Sequence, residues 1–135
     1  MWTVPTTYLL LLDLPDLAAR DLSALEGCLF TAMPMPREGV ERLRAALPHV
    51  RLITTYGQTE AGGGTIIQGE ELLLRPGSVG RPLPGKEVRV ANAAGRDCPP
   101  GTAGDAWLRG PGMMLGYYKD PRATAAVLRD RKSVV

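Results

Sequence analysis

The sequence predicts an α/β protein in which a parallel-sheet α/β subdomain, residues 1–80, is followed by a small antiparallel β-rich subdomain with a C-terminal helix, residues 81–135. Three observations carry that prediction. Residues 27–56 read strand, helix, strand, and a right-handed crossover of that kind makes the two strands parallel. Beyond Gly69 the apolar runs shorten and Gly/Pro turns punctuate them, the rhythm of antiparallel structure. A chain of 135 residues, 44% hydrophobic, can bury one modest core and no second independent one.

The elements follow in order. Thr3 is placed to cap a helix with Pro5 in its first turn, and Tyr8, Leu9, Leu11 and Leu12 supply the buried face until the segment 13–16 breaks it. A second short helical stretch runs through Leu22 and Leu25. Gly27-Cys28-Leu29-Phe30-Thr31 has strand length, and Pro34 and Pro36 force a turn after it. From residue 37 to 47, Val40, Leu43, Ala46 and Leu47 recur at helical spacing against Glu38, Glu41, Arg42 and Arg44, with Pro48 as the stop. Arg51-Leu52-Ile53-Thr54-Thr55-Tyr56 returns to strand character. Glu87-Val88-Arg89-Val90 and Ala106-Trp107-Leu108-Arg109 are short strands between turns at 84–85, 99–101 and 110–112. Asp120-Pro121 caps a last helix carrying Ala123, Val127 and Leu128, which runs into a charged tail at 129–132.

Composition narrows the function. Sixteen Lys+Arg against 14 Asp+Glu leave a formal charge of +2, too little and too dispersed for a nucleic-acid or anionic-membrane footprint. The apolar run at 8–12 is cut by Asp13, and no basic region opens the chain, so neither a spanning helix nor a signal peptide is expected and the expected location is cytoplasmic. Cys28 and Cys98 have no CxxC spacing and His49 stands alone, which argues for reduced thiols and against a metal cluster. With 16 glycines and 12 prolines, about a fifth of the chain, the excess must sit in turns and ligand loops.

In an open parallel sheet, ligands gather beyond the carboxyl ends of the strands, where the loops 31–34 and 57–64 are expected to face one site. The second loop holds the densest polar group, Tyr56-Gly57-Gln58-Thr59-Glu60, then Ala61 and the glycines Gly62, Gly63 and Gly64. An aromatic ring offers a stacking face for a base, glycine lets backbone approach, and a hydroxyl and a carboxylate can reach phosphate oxygens and a hard cation. From pattern alone an equally good reading makes Tyr56 a core aromatic and Glu60 a solvated carboxylate at a helix start. Other motifs fail on spacing. Gly116 comes one residue too late after Gly110 and Gly112 for GxGxxG, and Gly77-Ser78-Val79-Gly80 is no GxSxG elbow. Arg81, Lys86 and Lys119 read as surface residues in exposed turns.

The Tyr-Gly-Gln-Thr-Glu group is followed by Gly77-Ser78-Val79-Gly80-Arg81-Pro82-Leu83-Pro84-Gly85. A third motif is Trp107-Leu108-Arg109-Gly110-Pro111-Gly112-Met113-Met114-Leu115-Gly116-Tyr117-Tyr118-Lys119-Asp120-Pro121. In order and spacing the three resemble the adenylate-forming (AMP-binding) superfamily, and acyl-CoA synthetases best, over about residues 4–130. The resemblance implies ATP, Mg²⁺ and CoA as cosubstrate, and a fatty or related carboxylic acid that attacks the α-phosphate of ATP before CoA displaces AMP. It implies that Tyr56 stacks on adenine, that Gly57, Gln58 and Thr59 contact the nucleotide with Thr59 near the α-phosphate, and that Glu60 holds the metal. Thr59 and Glu60 are thus the implied catalytic pair. Thr31, Ala32 and Met33 align with the segment that lines the adenine and acyl pockets, although Thr31 and Met33 stand where the family commonly has smaller residues. Met33 and Met35 read equally well as core filling.

Family members also carry a Ser/Thr/Gly-rich triphosphate loop upstream and a ribose-binding aspartate, hinge and lid downstream. None of these occurs in the 135 residues. The resemblance therefore implies the central part of the large N-terminal domain, residues 1–80 being a partial nucleotide-binding subdomain, chemically incompetent alone and partnered by the remainder of the enzyme. Two alternatives stay open: a non-enzymatic remnant or interaction module, and an amino-acid-activating adenylation domain.

Overall fold

In a computed structural model, which describes residues 1–129 and 133–134, the chain divides into two compact units. The first comprises Met1–Tyr56 and Ile66–Arg81, the second Gly57–Thr65 and Pro82–Val135. No helix among the described residues is long and apolar enough to cross a membrane.

The first unit is an α/β layer. Strands β1 (Trp2–Thr3), β2 (Gly27–Phe30), β3 (Arg51–Gln58), β4 (Gly62–Gln68) and β5 (Arg81–Pro82) lie in that order in one sheet, the residues of β3, β4 and β5 being divided between the two units. β1 pairs parallel with β2 and β2 parallel with β3, Cys28 opposite Leu52 and Phe30 opposite Thr54. Period-two alternation aims Cys28 and Phe30 at the core. Helices α1 (Pro5–Leu12) and α2 (Arg37–Ala46) pack together, and α2 packs on α3 (Glu71–Leu74). The core gathers Tyr8, Cys28, Phe30, Val40, Leu43, Leu47, Val50, Leu52, Ile67 and Leu72. The Tyr8 ring stands edge-on to Phe30, centroids 6.0 Å apart, and its hydroxyl donates to the Met1 carbonyl at 2.9 Å. That buried phenol is held well above its ordinary pKa by desolvation first of all.

Several local expectations give way to tertiary constraints. Thr3 is strand rather than cap. Val4 stands at the N-cap of α1 without a side-chain bond, while the Thr3 hydroxyl donates to that of Thr7 at 3.0 Å. Leu22 and Leu25 lie outside any helix. A 3₁₀ turn at Leu17–Ala19 precedes Asp21, whose Oδ1 accepts from the Ser23 amide and hydroxyl at 3.0 and 2.6 Å and so diverts the backbone from helix. β3 continues past Tyr56 to Gln58, and β4 occupies the glycine run that reads as loop. Strands joined by only three residues, 59–61, form a hairpin, and the Gly69 amide donates to the Leu52 carbonyl at 2.9 Å across it.

The second unit is built on the antiparallel pair β6 (Glu87–Ala91) and β7 (Asp105–Arg109), Val88 opposite Leu108 and Arg89 opposite Trp107. Leu108 is fully buried, and the Arg89 guanidinium lies 4.5 Å from the centroid of the Trp107 ring. Asn92 Oδ1 accepts from the Ala94 and Arg96 amides at 3.0 and 3.1 Å, shaping the turn that leaves β6. α4 (Pro121–Val127) is capped as expected, Asp120 Oδ1 accepting from the Ala123 amide at 2.8 Å. Leu128 lies past its end, in the two-residue strand β8 (Leu128–Arg129), which with β9 (Ser133–Val134) completes the order β6-β7-β9-β8. Of the charged tail, residues 130–132 lie outside the described residues. Both cysteines are free.

Leu43, 2% exposed on α2, and Leu10, 64% exposed on α1, separate core from surface. Urea unfolding should show Leu43→Ala losing about 2–5 kcal/mol and Leu10→Ala within about 0.5 kcal/mol of wild type. Equal losses would contradict the core assignment.

Candidate functional site

The strand ends of the first unit carry four of the expected binding residues, Thr31, Ala32, Met33 and Tyr56. The Thr31 hydroxyl donates to the Thr55 carbonyl at 2.9 Å and the Thr54 hydroxyl to the Phe30 carbonyl at 2.9 Å, tying the carboxyl ends of β2 and β3 side to side. Ala32 then takes a left-handed conformation, φ 73°, sparsely populated for a residue with a Cβ. Such strain persists where surrounding structure over-determines it, as at ligand loops. Met33 is half-exposed, with the Thr6 hydroxyl 3.8 Å from its sulfur, whereas Met35 packs against the core. The core-filling role thus falls to Met35 alone. Tyr56 is half-buried, the last residue of β3 that belongs to this unit.

Gly57, Gln58, Thr59 and Glu60 belong to the second unit. A Cβ on Gly57 would overlap the Gly62 carbonyl oxygen, so glycine lets the two strands close onto the short turn. The Ala61 amide donates to the Gln58 carbonyl at 3.0 Å, and Thr59 is exposed at the tip. No helix starts at Glu60, contrary to the solvated helix-start reading. Its side chain is partly exposed in a hairpin turn, and its Oε1 accepts from the Tyr117 hydroxyl at 2.6 Å. That hydrogen bond, first of all, holds the Glu60 carboxyl below the usual glutamate range, and the same contact raises the Tyr117 phenol. The Glu60 carbonyl accepts from the Met114 amide at 2.7 Å.

Lys86 departs from its reading as an exposed turn residue. It is half-buried, and its Nζ donates to the Ala61 carbonyl at 2.5 Å. Lys119 does lie in an exposed turn, its Nζ 5.2 Å from the centroid of the Tyr118 ring, and Arg81 reaches Glu71 at 3.7 Å. Sequence reasoning thus missed Lys86, Met114 and Tyr117 as neighbours of the turn. The only sequence signal for Tyr117 is its place in the motif at 107–121, which says nothing of contacts.

Chemically, the turn offers a fixed, charged carboxylate. Tyr117 takes Oε1, and a carboxylate accepts at both oxygens. Among the described residues no group of three or more His, Cys, Asp or Glu could hold a metal by itself. A cation here would need ligands from elsewhere, as Mg²⁺ commonly finds in water and substrate phosphates.

A family model described as AMP-binding enzyme matches residues 1–118. The chain is 38% identical over 111 residues to 4-coumarate--CoA ligase-like 6 of Oryza sativa subsp. japonica, covering 81% of this chain and 19% of that protein. It is 36% identical over 129 residues to a feruloyl-CoA synthase of Amycolatopsis sp, covering 94% of this chain and 26% of that protein. Among solved structures it is similar to the amide bond synthetase McbA from Marinactinospora thermotolerans, with TM-score 0.87 and 32% identity over 98% of this chain and 27% of that one. The chain therefore spans about a quarter or less of the length of these relatives.

Lys86→Met removes the tether at Ala61. The Ala61 amide should then exchange with solvent about fivefold faster, the loss of roughly 1 kcal/mol of local protection. Unchanged exchange, followed by NMR, would mean that the strands alone set the turn.

Proposed function

The chain belongs to the AMP-binding, adenylate-forming enzyme family, and from that premise we propose that it serves as the central part of the large domain of an ATP-dependent carboxylate–CoA ligase. The substrate carboxylate attacks the α-phosphorus of ATP, giving acyl-AMP and pyrophosphate. The CoA thiolate then attacks the acyl carbon, forms the thioester and expels AMP. The observation that carries the reading is the matched Tyr56-to-Glu60 group, with the Glu60 carboxylate charged and fixed on a turn.

In this reading the Tyr56 ring stacks on adenine, Gly57 and Gln58 bring backbone alongside the nucleotide, and the Thr59 hydroxyl donates to an α-phosphate oxygen. Thr31, Ala32 and Met33 line the adenine and acyl pockets. The fixed carboxylate oxygens of Glu60 suit a hard cation, which supports Glu60 as the protein ligand of Mg²⁺. When bound, Mg²⁺ neutralises phosphate charge as the pentavalent phosphorus develops. Groups aimed beforehand at that charge supply most of the rate. The likeness to an amide bond synthetase favours a second reading of the second half-reaction only, in which an amine captures the acyl-AMP.

The 135 residues contain no Ser/Thr/Gly-rich triphosphate loop and no GxxxxGK[ST], so they are expected to release no pyrophosphate from ATP alone. Exchanged for the matching quarter of the Amycolatopsis feruloyl-CoA synthase, they should support ATP–pyrophosphate exchange. Glu60→Gln should lower that exchange at least about tenfold. Equal exchange by both chimeras would reject Glu60 as the cation's ligand, and thioester against amide product would choose between the two second steps.

A further inference from the structure

Glu60 is held from the segment 114–117 at two points: its carbonyl by the Met114 amide at 2.7 Å, and its carboxylate Oε1 by the Tyr117 hydroxyl at 2.6 Å. Tyr117 is itself fastened to the start of α4. Its amide donates to Thr124 Oγ1 at 2.9 Å, and the Thr124 hydroxyl donates to the Asp120 carbonyl at 2.8 Å. The Asp120 amide returns to the Tyr117 carbonyl at 3.2 Å, while Asp120 Oδ1 caps the helix through the Ala123 amide. Gly116 makes the approach possible: its φ is 151°, and a Cβ there would press on Thr124 Cγ2 and Oγ1 at 3.1 Å. A capped helix end, a threonine hydroxyl and a phenol thus form one relay that ends on a single carboxylate oxygen.

Tyr117 is 38% exposed, and an exposed phenol–carboxylate bond adds little to folding, so stability alone does not account for the bond to Glu60. The neighbouring Tyr118 is 87% exposed and has no such bond to Glu60, which makes it a control. We propose that Tyr117 is a positioning residue for Glu60: by holding Oε1 from the start of α4 it presents Oε2 to the divalent cation in one fixed orientation. The proposal rests on the cation role given to Glu60 above. Pre-organisation of this kind lowers the ordering cost of binding without adding a ligand.

Two readouts on the chain separate the proposal from that premise. Without cation, the NMR signal of the Glu60 carboxyl carbon should move in Tyr117→Phe, move less in Thr124→Val and stay in place in Tyr118→Phe. With ATP present, Mn²⁺ affinity from water-proton relaxation should fall about fivefold in Tyr117→Phe, further in Glu60→Gln, and not in Tyr118→Phe. An unmoved carboxyl signal in Tyr117→Phe, or Mn²⁺ affinity lost in Glu60→Gln but wild-type in Tyr117→Phe, overturns the positioning role and leaves the cation role standing. A moved carboxyl signal with equal Mn²⁺ affinity in wild type and Glu60→Gln supports the fixing of the carboxylate by Tyr117 and overturns its assignment to a cation.

Discussion

The turn at 59–61 is pinned at three atoms, and the chemistry proposed for it depends on that pinning. Lys86 holds the Ala61 carbonyl, the Met114 amide holds the Glu60 carbonyl, and the Tyr117 hydroxyl holds Glu60 Oε1. A glutamate on a free hairpin tip would sample many rotamers and lose that freedom on meeting a ligand. Here much of the ordering is built into the fold, while the carboxylate stays partly open to solvent and charged. A charged carboxylate oxygen is the kind of protein ligand that a hard cation takes.

The first unit prepares a different kind of surface. Parallel pairing of β2 with β3 brings Phe30 opposite Thr54, and the hydroxyls of Thr31 and Thr54 lock the strand ends where the ladder stops. That lock lets Ala32 hold a left-handed backbone without glycine. Phe30 and Leu52 of the same two strands belong, with Tyr8 and Leu43, to the close-packed buried core.

Elements whose signals are local were legible in the sequence. α2 followed from its period and from Pro48, α4 from Asp120 and Pro121, and the parallel β2–β3 pair from the helix between them. The β6–β7 pair followed from its Gly/Pro punctuation. What escaped was decided at a distance. The glycine run at 62–64 carries no strand propensity and becomes β4 because backbone packs closely against Gly57. Asp21 overrides a helical pattern by bonding to Ser23. Lys86 and Tyr117 join the turn from 25 and 57 residues away, separations at which periodicity and capping say nothing. The motif residues could be named from sequence, but the contacts that orient them could not.

The most direct measurement is the anomalous difference density of Mn²⁺ in crystals that hold a non-hydrolysable ATP analogue. A peak is expected at coordination distance from Glu60 Oε2, about 2.0–2.1 Å for a small hard cation, with the Tyr117 hydroxyl still on Oε1. A nucleotide-bound Mn²⁺ whose only protein ligands lie elsewhere, with Glu60 turned away, would contradict it.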